Sequence, residues 1–160
     1  MGGLFQVSEL VDMAISEEHH GTIFYEALER RAKSPIVRKA AGRFADEERG
    51  HEQAFKDMRE NVASYLPNES YPGEYEDYVK ALLDGRTFPD EQEAIALART
   101  GTDADALRIA IRFERNSLLF FSEMRVLVPE SERPLVDELV EEERRHLVDL
   151  SRLLAQAETP

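Results

Sequence analysis

The chain has 160 residues, with 33 Asp and Glu against 20 Lys and Arg, a formal net charge of −13. So acidic a chain repels nucleic-acid backbones, and the absence of cysteine excludes disulfides, thiolate metal sites, iron–sulfur clusters and Cys nucleophiles. With 42% apolar and 33% charged residues, it reads as one domain with a core rather than a disordered chain.

The N-terminus, Met1-Gly2-Gly3-Leu4-Phe5-Gln6, has neither the basic region nor the apolar run of a signal peptide. Gln6 stands where a myristoylation motif requires Ser or Thr. No apolar run reaches membrane-spanning length, so the expectation is a cytoplasmic protein with no membrane partner.

Apolar residues recur with helical period throughout. The spacing predicts a first long helix from an N-cap at Ser8 to about Lys33. Ser34-Pro35 then stops it and starts a second, which runs to about Tyr65. Pro67-Asn68, Tyr71-Pro72-Gly73, Asp84-Gly85 and Phe88-Pro89 break the next stretch, leaving room for two short helices over about 74–83 and 90–100. A third long helix begins near Thr102 or Asp103 and ends before Pro129. A fourth starts within Pro129-Glu130-Ser131-Glu132 and runs to about Ala157. The expected fold is all-α: a single domain of residues 1–160, built as a four-helix bundle from two hairpins (8–65 and 102–157) with a long, partly helical connection (66–101).

Charged residues occupy the seams that should face the core. In the second long helix, Val37, Ala41, Phe44, Phe55, Met58, Val62 and Tyr65 step by three and four only if Glu48 and His51 are included. The fourth repeats this with Val136, Leu139, Glu143, His146, Leu150, Leu153 and Ala157. The first reads Val11, Ala14, Ile15, Glu18, Thr22, Tyr25, Leu28, Ala32, and the third Leu107, Ile111, Glu114, Ser117, Leu118, Phe121, Met124, Val128. Glu18 precedes Glu48 by 30 residues and Glu114 precedes Glu143 by 29, so the two halves read as an internal repeat.

A Glu-x-x-His pair is weak on its own, since 23 Glu and four His give about 0.6 by chance. The chain has three, the third being Glu17-x-x-His20 on another face of the first helix. Specificity comes from the conjunction: two pairs on seams, two further seam Glu, and duplicated spacing. Burying four carboxylates without partners costs several kcal/mol each, which a metal offsets. Four Glu and two His, distributed one Glu on each of two helices and Glu-x-x-His on each of the others, is the ligand set of a dinuclear carboxylate site in a four-helix bundle. Oxygen and imidazole donors suit two iron or manganese ions, and zinc also binds such donors.

Glu18-His-His-Gly-Thr-Ile-Phe24-Tyr25, Glu47-Glu48-Arg-Gly-His51, Glu114-Arg-Asn-Ser-Leu-Leu-Phe120-Phe121 and Glu142-Glu143-Arg-Arg-His146 resemble the ferritin-like, rubrerythrin-type di-iron proteins over nearly the whole chain. The six-residue set is most similar to that of bacterioferritin. The resemblance implies iron ligands at Glu18, Glu48, His51, Glu114, Glu143 and His146, with Glu48 and Glu143 bridging. It implies Fe(II) oxidation coupled to reduction of oxygen or peroxide, or else iron storage, and it implies a homodimer. The sequence departs from rubrerythrins at Ser117, where they usually carry a second Glu, and in lacking a cysteine-bound electron-transfer centre. A separate electron donor is therefore expected. The alternative to an oxidoreductase is a non-catalytic metal-binding, buffering or sensing module.

Further expectations attach to single residues. Tyr25 is a candidate catalytic residue, to hydrogen-bond a ligand carboxylate or relay an electron, or else a plain core aromatic. Glu47 and Glu142 either orient the histidines or lie exposed. His19 and His20 are read as surface or supporting groups, and Arg30, Arg31, Arg144 and Arg145 as solvated. Glu69, Glu74, Glu76 and Asp77 form an acidic linker. Met13, Phe24 and Phe120 are offered as a dimer interface, with hairpin exchange between two chains as another route.

Overall fold

A computed structural model describes residues 6–68, 73–83 and 89–159. The expectations on residues 1–5, on Glu69 and on the breaks at Tyr71-Pro72, Asp84-Gly85 and Phe88 lie outside the described residues. Six α-helices follow in order: α1 (Val7–Arg31), α2 (Pro35–Asn61), α3 (Glu74–Leu83), α4 (Glu91–Arg99), α5 (Asp103–Leu127) and α6 (Arg133–Glu158). Among the described residues, no helix is long and apolar enough to cross a membrane.

Helix starts follow local side-chain chemistry. Ser34 caps α2, accepting from the Val37 N–H, with Pro35 at the first helical position. Asp90 with Glu93, and Thr102 with Asp105, close reciprocal capping boxes on α4 and α5. At α1 the cap is Gln6 with Glu9 rather than the expected Ser8, whose hydroxyl is buried in the first turn and donates to Gln6 Oε1 at 3.3 Å. A 3-10 turn, Glu130–Glu132, leads into α6. Gly101, just past α4, has φ +74, and a Cβ there would come within 2.9 Å of the Asp105 Cβ.

The long helices pair as α1 with α2 and α5 with α6. Contacts between the hairpins show their directions. Arg43–Asp149, Glu47–His146 and His51–Glu142 run α2 antiparallel to α6. Arg31–Asp103, Tyr25–Glu114 and Glu17–Ser117 do the same for α1 and α5. That arrangement is the four-helix bundle expected from two hairpins with a long crossover.

The core divides into two apolar clusters. One contains Leu10, Val11, Phe55, Met58, Phe120, Phe121, Met124 and Val136, with Val79 of α3. The other contains Phe24, Tyr25, Phe44, Leu107, Ile111 and Leu150, with Ala94 and Ala98 of α4. Phe24, Phe44, Phe55, Phe120 and Phe121 are fully buried, each contributing about 1.5–3 kcal/mol. This corrects the interface expectation. Phe24 lies in the cluster with α4, Phe120 in the cluster with α3, and Met13 packs against the latter. Among the described residues, the exposed large apolar side chains are instead Ile36, Leu66, Leu119, Val126 and Val148.

Arg31 also departs from its expectation. Its guanidinium is mostly buried and donates to Ala98 O at 2.6 Å, Thr102 O at 3.0 Å and Asp103 Oδ1 at 3.2 Å. It clasps the end of α1 to the junction of α4 and α5. Arg30, Arg144 and Arg145 are exposed partners of Glu26, Glu141 and Glu142, as expected. Glu74, Glu76 and Asp77 form the first turn of α3, where acids complement the helix dipole.

Candidate metal centre

Between the two apolar clusters lies a layer of polar side chains. Glu18 comes from α1, Glu48 and His51 from α2, Glu114 from α5, and Glu143 and His146 from α6. Residues three apart share a helix face, so each Glu-x-x-His points both groups inward. All six are buried, and Glu143 is 0% exposed.

The six form two overlapping groups. Glu18, Glu48, His51 and Glu143 make one, and Glu48, Glu114, Glu143 and His146 the other, each with its donor atoms within 4.8 Å of one another. Glu48 and Glu143 belong to both. His51 Nδ1 lies 3.1 Å from Glu18 Oε2 and 3.1 Å from Glu143 Oε1. His146 Nδ1 lies 3.3 Å from Glu48 Oε1 and 3.5 Å from Glu114 Oε2. The two imidazoles stack with centroids 5.6 Å apart.

Both rings turn Nδ1 toward the cluster and Nε2 away, and the outer nitrogens are held crosswise. His51 Nε2 lies 2.5 Å from Glu142 Oε2, and His146 Nε2 lies 2.9 Å from Glu47 Oε2. In each Glu-Glu-x-x-His, therefore, the first Glu holds the histidine of the other hairpin. The expectation that these two residues orient the rings matches the geometry, and the exposed-charge reading fails.

Electrostatics follow from burial and crowding. Burial, then the charge of Glu48, pushes the Glu18 carboxyl up; burial, then the charges of Glu114 and Glu48, does the same to Glu143. Burial also raises Glu48, but hydrogen bonds from Glu18, His146 and His51 outweigh it and hold this carboxyl below its ordinary range. Burial lowers both histidines, yet the surrounding carboxylates outweigh it and raise them. Without a metal, the layer keeps its charge down by retaining protons.

Protons do not satisfy it completely. Glu48 Oε1, both carboxylate oxygens of Glu143 and His146 Nδ1 are buried with no oriented hydrogen bond. Orphaned polar atoms of this kind, once the layer gives up its protons, fit divalent cations, and the oxygen and imidazole donors suit iron, manganese or zinc.

The remaining candidates fall around this layer. The Tyr25 hydroxyl is buried and donates a hydrogen bond to Glu114 Oε1; burial, then the Glu114 charge, raises its pKa. Position 121, the repeat counterpart of Tyr25, is Phe. His19 is half-exposed and lies 3.3 Å from Glu52. Glu17 and His20 are not in the six-residue layer; they line a neighbouring cavity with Phe113, Ser117 and Pro89. Seam reading did not foresee that cavity. Its traces in the sequence are Gly21 and Ser117, small residues at equivalent positions of the two halves.

No curated protein matches the sequence significantly. A crystal structure from Thermotoga maritima, of a protein described as ferritin-like and diiron-carboxylate, is similar in fold, with a TM-score of 0.72. It is 24% identical, over 98% of this chain and 99% of that one. The rubrerythrin family model matches residues 9–154, nearly the full length. The chain thus belongs to the rubrerythrin family.

Proposed function

We propose that the chain is a non-haem di-iron oxidoreductase that couples Fe(II) oxidation to reduction of oxygen or hydrogen peroxide. The observation that carries this reading is the sharing of Glu48 and Glu143 between two four-donor groups. Glu18 and His51 would complete one ion's ligands, and Glu114 and His146 the other's. Family membership and the description of the Thermotoga protein support iron as the metal. Bound there, two Fe(II) ions would supply one electron each, which with two protons reduce hydrogen peroxide to two waters, or oxygen to hydrogen peroxide.

The chain's own residues prepare the site. Glu47 and Glu142 hold the imidazoles with Nδ1 inward, so no ring reorientation accompanies binding. Tyr25 fixes one oxygen of Glu114. Phe44, packed edge-on against His146, and the apolar clusters on either side exclude bulk water. With no cysteine in the sequence, repeated turnover draws on a separate electron donor.

Anaerobic Fe(II) loading tests the reading. About two ions per chain should bind, and oxidant should bring up ferric absorption. Glu48→Ala and Glu143→Ala should each abolish tight binding of the pair. Normal loading in both variants would overturn the assignment. A protein that oxidises its iron once, and is not returned to Fe(II) by any reductant, is a metal-binding module rather than an enzyme.

A further inference from the structure

Three of the exposed large apolar side chains, Leu119, Val126 and Val148, lie on the outer face of the α5/α6 hairpin. Leu119 and Val126 are seven residues apart on one stripe of α5, which also carries Arg112 and Arg115. Val148 stands seven residues from Glu141 on the neighbouring stripe of α6. Ion pairs from Arg108 to Glu158 and from Arg125 to Asp137 span the groove between the two helices near its ends. The crossover helices lie on the other side of α5: α4 packs chiefly on α1, and Val79 of α3 joins Phe120 and Leu127. We propose that this α5/α6 face docks a second copy of the chain, end for end, about a twofold axis. The proposal stands independently of the metal in the centre.

The internal repeat separates what the hairpin needs from what this face adds. In α1 and α2 the counterparts of Val126, Val148 and Arg112 are Arg30, Gln53 and Ser16, all exposed. Ile23, the counterpart of Leu119, is partly buried against the core. One framework thus bears polar groups on one hairpin and exposed aliphatics on the other, so folding a hairpin does not require the aliphatics. Exposed aliphatics grouped on one face and rimmed by charge mark a protein-binding surface.

Charge selects the occupant. Near the start of α5, Arg112 and Arg115 are exposed and have no ion pair among the described residues. Near the start of α6, Asp137 and Glu141 are matched by Arg125 and Arg144, and Glu138 is exposed with no ion pair among the described residues. The helices are antiparallel, so these basic and acidic regions lie at opposite ends of the groove. A twofold axis across the groove at the level of Leu119 sets that residue against its own counterpart. It also sets the arginine end of each copy against the acidic end of the other. Two chains of net charge −13 repel overall, and a face with unmatched arginines is where that repulsion is least. Helices of this length run about 37 Å and pack about 10 Å apart, so the face measures roughly 37 by 20 Å. That area is close to the ~800 Å² per partner of a standard-size interface.

Sedimentation equilibrium of the full-length, metal-loaded protein tests the proposal. Wild type should be a dimer. Leu119→Glu and Val148→Glu should each weaken dimerisation at least tenfold, and Arg112→Glu combined with Arg115→Glu should do the same. Ile36→Glu, at an exposed aliphatic on α2, should leave it unchanged. The chain has no cysteine, so Leu119→Cys supplies a single thiol. A short bismaleimide should link two copies through it and should not link Ile36→Cys. All these positions are exposed, and circular dichroism and metal content should match wild type. If a charge variant fails to fold, the thiol cross-link still decides. A wild type that stays monomeric at every concentration would overturn the proposal. So would a dimer indifferent to both Leu119→Glu and Val148→Glu, or one dispersed by Ile36→Glu alone.

Discussion

His51 on α2 and Glu142 on α6 join the two hairpins through a 2.5 Å contact between Nε2 and Oε2. Glu47 and His146 repeat it at 2.9 Å in the opposite sense. Replacing a carboxylate that orients a ligand imidazole lowers metal affinity by about 10–100-fold. Glu142→Ala and Glu47→Ala should each do so, measured by competition with a chelator of known affinity. The two losses should be comparable, and a negligible loss in both would remove any orienting role.

Chelation should destabilise the protein. A ligand at 100 times its dissociation constant stabilises the native state by about 2.7 kcal/mol. At about 2–4 °C per kcal/mol for a chain of this size, stripping the metal should lower Tm by roughly 5–10 °C in calorimetry. Returning Fe(II) or Mn(II) should restore it.

The metal-free protein should weaken as pH rises. Glu18 and Glu143 are held above the ordinary carboxyl value of 4.5, and His51 and His146 above 6.5. Native-state groups raised in this way bind more protons than the unfolded chain, so their stabilisation is complete below the unfolded values and is lost on the way up. Glu48 is shifted down, and its opposite effect is confined to pH below 4.5. Tm of the metal-free chain should fall between about pH 5 and pH 9. Metal affinity should rise over the same range, because cations replace those protons. Glu143→Gln should flatten the Tm slope.

Tyr25→Phe leaves the buried Glu114 carboxylate without its phenol donor. Loss of a hydrogen bond to a charged group costs about 1.5–3 kcal/mol. Denaturant unfolding of the metal-free variant should show a loss of that size, with metal stoichiometry unchanged. A loss of bound metal instead would make Tyr25 a determinant of loading.

Arg31→Ala should unclasp α1 from the α4–α5 junction. Its donors leave the Ala98 and Thr102 carbonyls and Asp103 short of partners, at about 1–3 kcal/mol. Hydrogen exchange should rise first in α4, the helix whose end it holds.

The six residues of the buried polar layer were legible because a buried charge interrupts an apolar seam, and the interruption recurs in both halves. Helix order and the Ser34 and Thr102 caps were legible because capping is local chemistry. Glu47 and Glu142 were less so. They are half-exposed, and their partners lie about 90–100 positions away, where periodicity says nothing. The same limit applies to Arg31, whose neighbours come from the crossover. Phe24 and Phe120 read as outward-facing because α3 and α4, which complete their clusters, pack in ways that short apolar runs do not encode.

Each four-donor group draws three residues from one hairpin and one from the other. Two identical hairpins docked about a twofold axis would present the same pair of groups, so the chain has the form of a duplicated and fused ancestor. Fusion lets counterparts diverge. Tyr25 answers to Phe121, Glu17 to Phe113 and Gly21 to Ser117. A homodimer of one hairpin would have to carry each such change twice. Joined in one chain, the halves can differ, so Glu17 with Phe113 and Gly21 with Ser117 line one cavity as unlike residues at equivalent positions.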